Sequence, residues 1–333
     1  MIKKFQNIES SLNEMRMKGN PRGEDTGFKC LDEIFSLKQG SYTFILAAPH
    51  HGKSELSFEI VFNQAEKFGK RSLIYSPETG SVEDIYAEFI HKFTGKPFYK
   101  SIPGSVDDKE YYKAINYIDQ MFSVVDSDEK SYSFGELSDL VKDEQVILSD
   151  PYNEMRHDMS KYGQRQDLYI EDLCGEIRRY CKKNKKHVIQ TLHPASQLKI
   201  AGKDLGGRTI QYYPMPSARE AAGGQALFRK AMTWINMWRP PVNMGNEFGQ
   251  PYLENEVLIQ VEKAKPKGVA KRGVTSLYFD WKKNRYYEGS NQYAFEHEKI
   301  NNNASAGMMP NENFNITPED IKKVYEDDDN NPF

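Results

Sequence analysis

Residues 42–61 read YTFILAAPHHGKSELSFEIV, and the order of their parts decides the fold. Tyr42–Ala47 is an apolar run of strand length. Pro49 and Gly52 then break the strand. From Lys53 the apolar residues Leu56, Ile60 and Ala65 fall along one side of a helix. A strand, a loop ending in Gly-Lys-Ser and a helix together match the P-loop pattern, with Ala47 where its first glycine stands. In such a loop backbone N–H groups wrap phosphates at the positive end of the following helix. Gly52 permits close backbone approach, Lys53 would reach the β- and γ-phosphates, and the Ser54 hydroxyl would ligate Mg²⁺. Ala48, Pro49, His50 and His51 complete the nucleotide-binding loop. A bare Gly-Lys-Ser triplet is common by chance, and its place between strand and helix gives it weight.

Outward from this segment, strand candidates recur at Ser72–Ser76, Phe122–Val125, Gln145–Ser149, His187–Leu192, Thr233–Trp238, Val257–Glu262 and Thr275–Asp280. Helical patterns lie at Lys53–Phe68, Val82–Phe93, Lys109–Met121 and Leu168–Asn184. The alternation predicts an α/β fold with a mostly parallel central sheet flanked by helices. Ligands of such sheets bind past the C-terminal ends of the strands. Three polar residues fall there. Glu78 follows Leu73-Ile74-Tyr75-Ser76-Pro77 and is placed to orient an attacking water. Asp150 closes Val146-Ile147-Leu148-Ser149 and suits a water-mediated hold on Mg²⁺. His193 follows Gln190-Thr191-Leu192, where it would sense a γ-phosphate. Each has an ordinary alternative: a solvated glutamate, a turn-forming aspartate before Pro151, a structural histidine. The P-loop weighs against these, because it requires such partners.

Composition bounds the rest. The 333 residues, 38% of them apolar, suffice for one large domain or two small ones. A net charge of −3 argues against a protein coated in nucleic acid, while leaving room for a local basic channel. Cys30, Cys174 and Cys181 are odd in number and form no CxxC pair. They predict neither a zinc site nor a disulfide framework and fit a reducing cytoplasm. No stretch reads as a signal peptide or a membrane span. Residues 1–23 read as an N-terminal helical arm and linker. Ile2, Phe5, Ile8, Leu12 and Met15 form an apolar stripe, packed either on its own domain or on a neighbour, before the break KGNPRG. Residues 24–289 form the α/β domain. Residues 290–333 read as a disordered, low-complexity acidic tail ending YEDDDNNPF.

These motifs occur in a recognisable order and spacing. Over about residues 26–288 the chain resembles the RecA-like ATPase domain of DnaB-like and Twinkle-like replicative helicases, including the helicase half of phage primase–helicases. The resemblance opens at TGFKCLDEIFSLKQG, with Thr26-Gly27-Phe28, Leu31-Asp32 and Gly40. It continues through the P-loop, Glu78 as catalytic glutamate and Asp150 as Walker B aspartate, to His193-Pro194, which is closer to the Twinkle version. Ala222 to Arg239, and Val261 to Tyr286, complete it. No counterpart of the primase domain or of the DnaB N-terminal domain is read in the sequence.

The resemblance implies ATP, or another NTP, with Mg²⁺, and a homo-oligomeric ring, usually a hexamer, moving on single-stranded DNA in a bacterial or phage-infected cell. ATP would lie between subunits, with a neighbour's basic finger completing each site. Arg239 matches one such arginine. Lys265 stands where the family has its principal finger arginine, a departure, since lysine lacks the planar fork. The family's DNA loops map after Asp150 and to about residues 196–229. They carry Lys199, Lys203, Arg208, Arg219, Gly223, Gly224, Gln225 and Arg229, which otherwise read as a mobile solvated loop. The end, with Asp327, Asp328, Asp329 and Phe333, resembles the acidic tip of bacterial single-stranded-DNA-binding proteins. It would bind a DNA polymerase, a primase or another replication protein. The competing reading is a non-unwinding RecA-like DNA-binding ATPase, such as a recombination mediator or loader. A small-molecule kinase is disfavoured, because no lid-like arginine pair follows the P-loop.

Overall fold

The computed structural model describes residues 4–19, 22–242, 244–246, 248–265 and 270–289. Ile2 of the arm, and the tail with Asp327, Asp328, Asp329 and Phe333, lie outside the described residues. The elements in chain order are α1 (Glu9–Lys18), α2 (Lys29–Asp32), β1 (Ser41–Ala47), α3 (Lys53–Phe68), β2 (Ser72–Tyr75), α4 (Val82–Thr94), α5 (Asp108–Met121) and β3 (Phe122–Val124). There follow α6 (Phe134–Leu140), β4 (Val146–Ser149), α7 (Gln166–Asn184), β5 (His187–Leu192), β6 (Ile200–Lys203), β7 (Thr209–Tyr212) and α8 (Gly224–Lys230). The chain closes through β8 (Thr233–Trp238), β9 (Glu256–Ala264), β10 (Gly273–Asp280) and β11 (Arg285–Tyr287).

Among the described residues, all strands except β6 and β7 share one sheet, in the order β11-β10-β9-β8-β1-β5-β4-β2-β3. From β3 to β8 neighbours run parallel, and β9, β10 and β11 add antiparallel pairs. The central strand β1 is buried along its whole length, as a strand covered on both faces must be. Its side chains alternate between two cores. Ile45 and Ala47 join Leu56, Ile60 and Phe62 of α3 and Phe89 of α4. Tyr42, Phe44 and Leu46 join Ile170, Cys174 and Ile177 of α7 and Leu227 of α8. The mostly parallel sheet flanked by helices, expected from the strand–helix alternation, is the one observed.

Three helices begin with reciprocal capping boxes: Ser81 with Asp84, Asp107 with Glu110, and Ser133 with Glu136. The last opens α6, which apolar periodicity alone does not reveal, because only Phe134 and Leu137 of its residues are buried. The opening motif serves packing. The Thr26 hydroxyl donates to Asp32 at 2.8 Å, and the Asn63 amide of α3 donates to the Thr26 carbonyl at 3.0 Å.

The arm is not packed on its own domain. No residue of α1 is buried, and Phe5, Leu12 and Met15 are exposed. Of the two readings of its stripe, this exposure favours docking on a neighbour.

A buried ionic cluster ties β11 to α3 and α4. Arg285 Nε donates to Glu59 Oε1 at 2.7 Å, and Lys92 Nζ lies 3.3 Å from Glu59 Oε2. Arg285 also donates to Asn63 and approaches Glu66 Oε2 at 3.5 Å. Burial pushes the Glu66 carboxyl up to about 7, with the Arg285 charge opposing.

Candidate nucleotide site

The P-loop residues 48–54 leave the C-terminal end of β1 and enter α3. Ala48 is buried, Pro49 and His50 are exposed, and His51, Gly52 and Ser54 are half-buried. Gly52 has φ 85° and His50 φ 64°, left-handed conformations that turn the chain sharply before the helix. At Gly52 a side chain is excluded twice over. An added Cβ would lie 2.5 Å from Tyr286 Oη and 3.3 Å from Met237 Cε. Burial pushes the Tyr286 phenol well above its usual range, so it stays protonated and donates to the Gly52 carbonyl at 3.2 Å. His51 is pushed down to about 4 by burial, then by the charges of Arg239 and His50, and is neutral at physiological pH.

Lys53 is buried, and its Nζ lies 3.6 Å from both Glu78 Oε2 and Asp150 Oδ1. Three sequence-read residues from three separate elements therefore share one point. His193 joins them, its Nε2 lying 2.8 Å from Glu78 Oε2, while its backbone N–H donates to Asn153 Oδ1 at 3.0 Å. Glu78 is exposed and Asp150 wholly buried. The difference suits the first to meet a water and the second to act from within. Ser76 Oγ donates to Asp150 Oδ2 at 3.1 Å, and the Thr191 hydroxyl donates to Oδ1.

A metal fits this set only together with phosphates. Among the described residues no group of three or more His, Cys, Asp or Glu side chains could hold an ion alone. Mg²⁺ is ordinarily held by one or two carboxylates plus substrate phosphates. The Ser54 hydroxyl at the start of α3 and the Asp150 carboxylate are that kind of partial donor set.

Arg239, expected as a finger for a neighbouring subunit, stands beside its own chain's P-loop. It follows β8 at the same sheet edge as its own P-loop, and its N–H donates to His51 Nδ1 at 3.3 Å. Its guanidinium donates to the Glu254 carbonyl at 2.8 Å and lies 5.5 Å from the centre of the exposed Trp281 ring. Lys265, by contrast, follows β9 at the opposite sheet edge. Ala264 pairs with Thr233, the first residue of β8, whereas Met237 pairs with Ala47 beside the P-loop. It is exposed and cannot serve its own chain's phosphates.

The segment read as DNA-binding contains the β6–β7 hairpin and α8. The β6–β7 hairpin carries Lys203 and, just before it, Lys199, both exposed. Lys199 Nζ lies 5.2 Å from the centre of the Tyr213 ring. Arg208, in the hairpin turn, is held by Asp204 at 2.8 Å. Arg219, Gln225 and Arg229 are exposed. Gly223 and Gly224 stand at a close approach of backbone to neighbouring groups. Added Cβ atoms there would meet Ile170 Cδ1 at 2.2 Å and the Ala218 carbonyl oxygen at 2.0 Å, and the Gly224 N–H donates to Ala221. Both glycines permit close packing at the start of α8.

Sequence reasoning passed over Ser76, Thr191, Asn153, Trp281 and Tyr286. Ser76 and Thr191 end strands, and their relation to Asp150 depends on strand register. Trp281 and Tyr286 reach the site from β10 and β11, more than 200 residues beyond the P-loop, with no motif of their own.

No family model matches the chain. A curated relative, the Twinkle homolog protein (chloroplastic/mitochondrial) of Arabidopsis thaliana, is 26% identical over 192 residues, 54% of this chain and 26% of that protein. The match thus spans about a quarter of the relative's length. The structure described as the ATPase domain of G40P aligns with 87% of this chain and all of its own, at a TM-score of 0.66 and 15% identity. A structure of a DnaB-like replicative helicase and its interactions with primase aligns with 87% of this chain and 68% of its own, at 0.63 and 14%. No helix among the described residues is long and apolar enough to cross a membrane. The described core is a RecA-like domain, and it resembles the Twinkle homolog in sequence and the ATPase domains of DnaB-like helicases in fold.

Proposed function

We propose that this chain is an ATP-driven replicative-type DNA helicase, moving on single-stranded DNA as a homo-oligomeric ring with ATP hydrolysed between subunits. The observation that carries the reading is the meeting of Lys53, Glu78, Asp150 and His193 at one sheet edge, with Lys53 Nζ 3.6 Å from both carboxylates. That set separates the tasks of phosphoryl transfer, in which catalysis is mostly positioning and charge stabilisation. The loop from Ala48 to Ser54 binds the phosphates through its N–H groups. Lys53 places a positive charge against the β- and γ-phosphates. Glu78 orients the attacking water, and His193 holds Glu78 and reports the γ-phosphate. Mg²⁺, when bound with ATP by Ser54 and Asp150, neutralises charge on the phosphates. The exposed Trp281, with the half-buried Arg239 against its ring beside the P-loop, offers a stacking surface for the nucleobase.

The basic residues Lys199, Lys203, Arg219 and Arg229 supply the side chains for sequence-independent phosphate contact. Lys265 would reach a neighbour's phosphates, and the tail ending in Phe333 a polymerase, primase or other replication partner. The deciding experiment is ATPase rate with and without single-stranded DNA, run beside mass measurement and strand displacement on a forked duplex. Stimulation by DNA with displacement supports the proposal. Stimulation without displacement by an intact ring favours the non-unwinding switch, to which Lys265 in the finger position already points. Absence of nucleotide hydrolysis under every condition refutes both.

A further inference from the structure

Asp150 is held by neighbours that no motif identifies. Tyr75 of β2 pairs with Ser149 of β4, and Ser149 pairs with Gln190 of β5. The next residues along these parallel strands, Ser76, Asp150 and Thr191, therefore stand in one row across the sheet. All three are at most 1% exposed. The Ser76 hydroxyl donates to Asp150 Oδ2 at 3.1 Å, and the Thr191 hydroxyl donates to Oδ1. With its proton so used, Ser76 accepts from the Thr79 hydroxyl at 2.6 Å. The Asp150 N–H donates to the Tyr75 carbonyl at 2.8 Å, fixing the backbone as well.

We infer that Ser76 and Thr191 are the positioning residues for magnesium in this site, gripping both oxygens of Asp150 so that the carboxylate meets the ion's water in one orientation. The inference rests on the nucleotide site proposed above. A carboxylate oxygen has two acceptor directions, and each hydroxyl takes one. Rotation about the carboxylate bond would break both bonds between side chains that are all at most 1% exposed. What remains is one acceptor direction on each oxygen, fixed relative to Lys53 and to the P-loop. Groups that orient a metal's partners in this way act on metal affinity without touching the metal. Thr79 extends the row toward Glu78, its neighbour in sequence, so the turn bearing the water-orienting carboxylate and the carboxylate serving the metal share one hydroxyl chain.

The test uses the full chain and two readouts besides turnover. Affinity for fluorescent ADP is measured in EDTA, and Mn²⁺ affinity of the ADP-bound protein is measured by electron paramagnetic resonance. Thr191→Val keeps shape and removes the hydroxyl, Ser76→Ala removes the other, and Thr191→Ser restores the donor. Thr191→Val and Ser76→Ala are each expected to weaken Mn²⁺ binding by about tenfold or more, with ADP affinity in EDTA held within about twofold. Thr191→Ser is expected to stay near the parent in both. Unchanged Mn²⁺ affinity in Thr191→Val and Ser76→Ala overturns the inference. So does a Thr191→Ser protein as weak as Thr191→Val, since packing rather than the hydroxyl would then matter. A parent protein that binds ADP equally with and without metal overturns the proposed magnesium site itself, and this inference with it. Should Thr191→Val fail to fold, Ser76→Ala and Thr191→Ser still decide the question.

Discussion

Glu59→Ala should be among the most damaging single changes outside the nucleotide site. Glu59 is 1% exposed and meets two buried cations, Arg285 at 2.7 Å and Lys92 at 3.3 Å. Glu66 approaches Arg285 at 3.5 Å, and burial pushes its carboxyl up to about 7, so near neutral pH it carries only part of a charge; the Glu88 charge also favours the Lys92 cation. Removing Glu59 takes from both buried cations the one carboxylate that pairs with each of them directly. Breaking a buried pair from one side costs about 3–5 kcal/mol, because the remaining charge stays desolvated. A domain of this size loses roughly 2–4 °C in Tm per kcal/mol, so the melting temperature should fall by about 6–20 °C. Nucleotide affinity should fall as well, since Arg285 precedes Tyr286, whose hydroxyl holds Gly52. The control is the triple replacement Glu59→Leu, Lys92→Met, Arg285→Met, which removes the charges together and should cost less than Glu59→Ala alone. Urea denaturation followed by circular dichroism measures both. A loss under about 1 kcal/mol for Glu59→Ala, or a triple variant less stable than the single one, would refute the assignment of Glu59 as the cluster's main counter-charge.

Lys53→Ala should abolish most nucleotide binding, whereas Glu78→Gln should bind ATP and stall its hydrolysis; near-normal turnover in Glu78→Gln would remove it from the catalytic role. Mixed rings of Lys265→Ala and Glu78→Gln subunits should recover some ATPase at hybrid interfaces, and no recovery at any ratio with rings intact counts against a shared site. His187 is fully buried and pushed down to about 4 by desolvation, so the unfolded chain binds its proton first as pH falls. Stability from this group is complete above about 6.5 and is lost by about pH 4, roughly 3 kcal/mol in all, and His187→Asn should flatten that part of the acid slope; equal slopes would sink the prediction. Deleting residues 1–20 should weaken oligomers, by sedimentation, more than it lowers Tm; the reverse pattern would return the arm to its own domain.

What was legible in the sequence depended on local signals. The β1–loop–α3 segment announced itself because strand, glycine turn and helix are contiguous. The helix from Lys53 to Phe68 and the strands His187–Leu192 and Thr233–Trp238 were read to their ends for the same reason. Glu78, Asp150 and His193 were found because polar residues ending apolar strands share a sheet edge whatever the strand order. Hydrogen-bonded neighbours of those residues were not legible, because they depend on register between strands far apart in sequence. Thr191 looks like any strand threonine until β5 is laid beside β4. The hairpin β6–β7 was missed because an exposed two-stranded ribbon needs no apolar alternation. The tight packing at Gly223 and Gly224 is not legible, because a glycine that admits a phosphate and one that admits a neighbouring helix are identical in sequence.

The placement of Lys265 and the arm constrains how copies of this chain could cooperate. The phosphate-binding groups stand at the C-terminal edge of the parallel strands. Lys265 lies near the level of Thr233, about six residues from Arg239 along β8, or roughly 20 Å at strand rise. The chain enters the domain near that same far edge, where Glu24 bridges to Leu37 and Gly40 donates to Lys186 just ahead of β5. A contact that delivered Lys265 to a second copy's P-loop would join the N-terminal edge of one sheet to the C-terminal edge of the next. Where only one such contact joins each pair of copies, it is head-to-tail and repeats, closing into a ring if the rotation permits and running on as a filament if not.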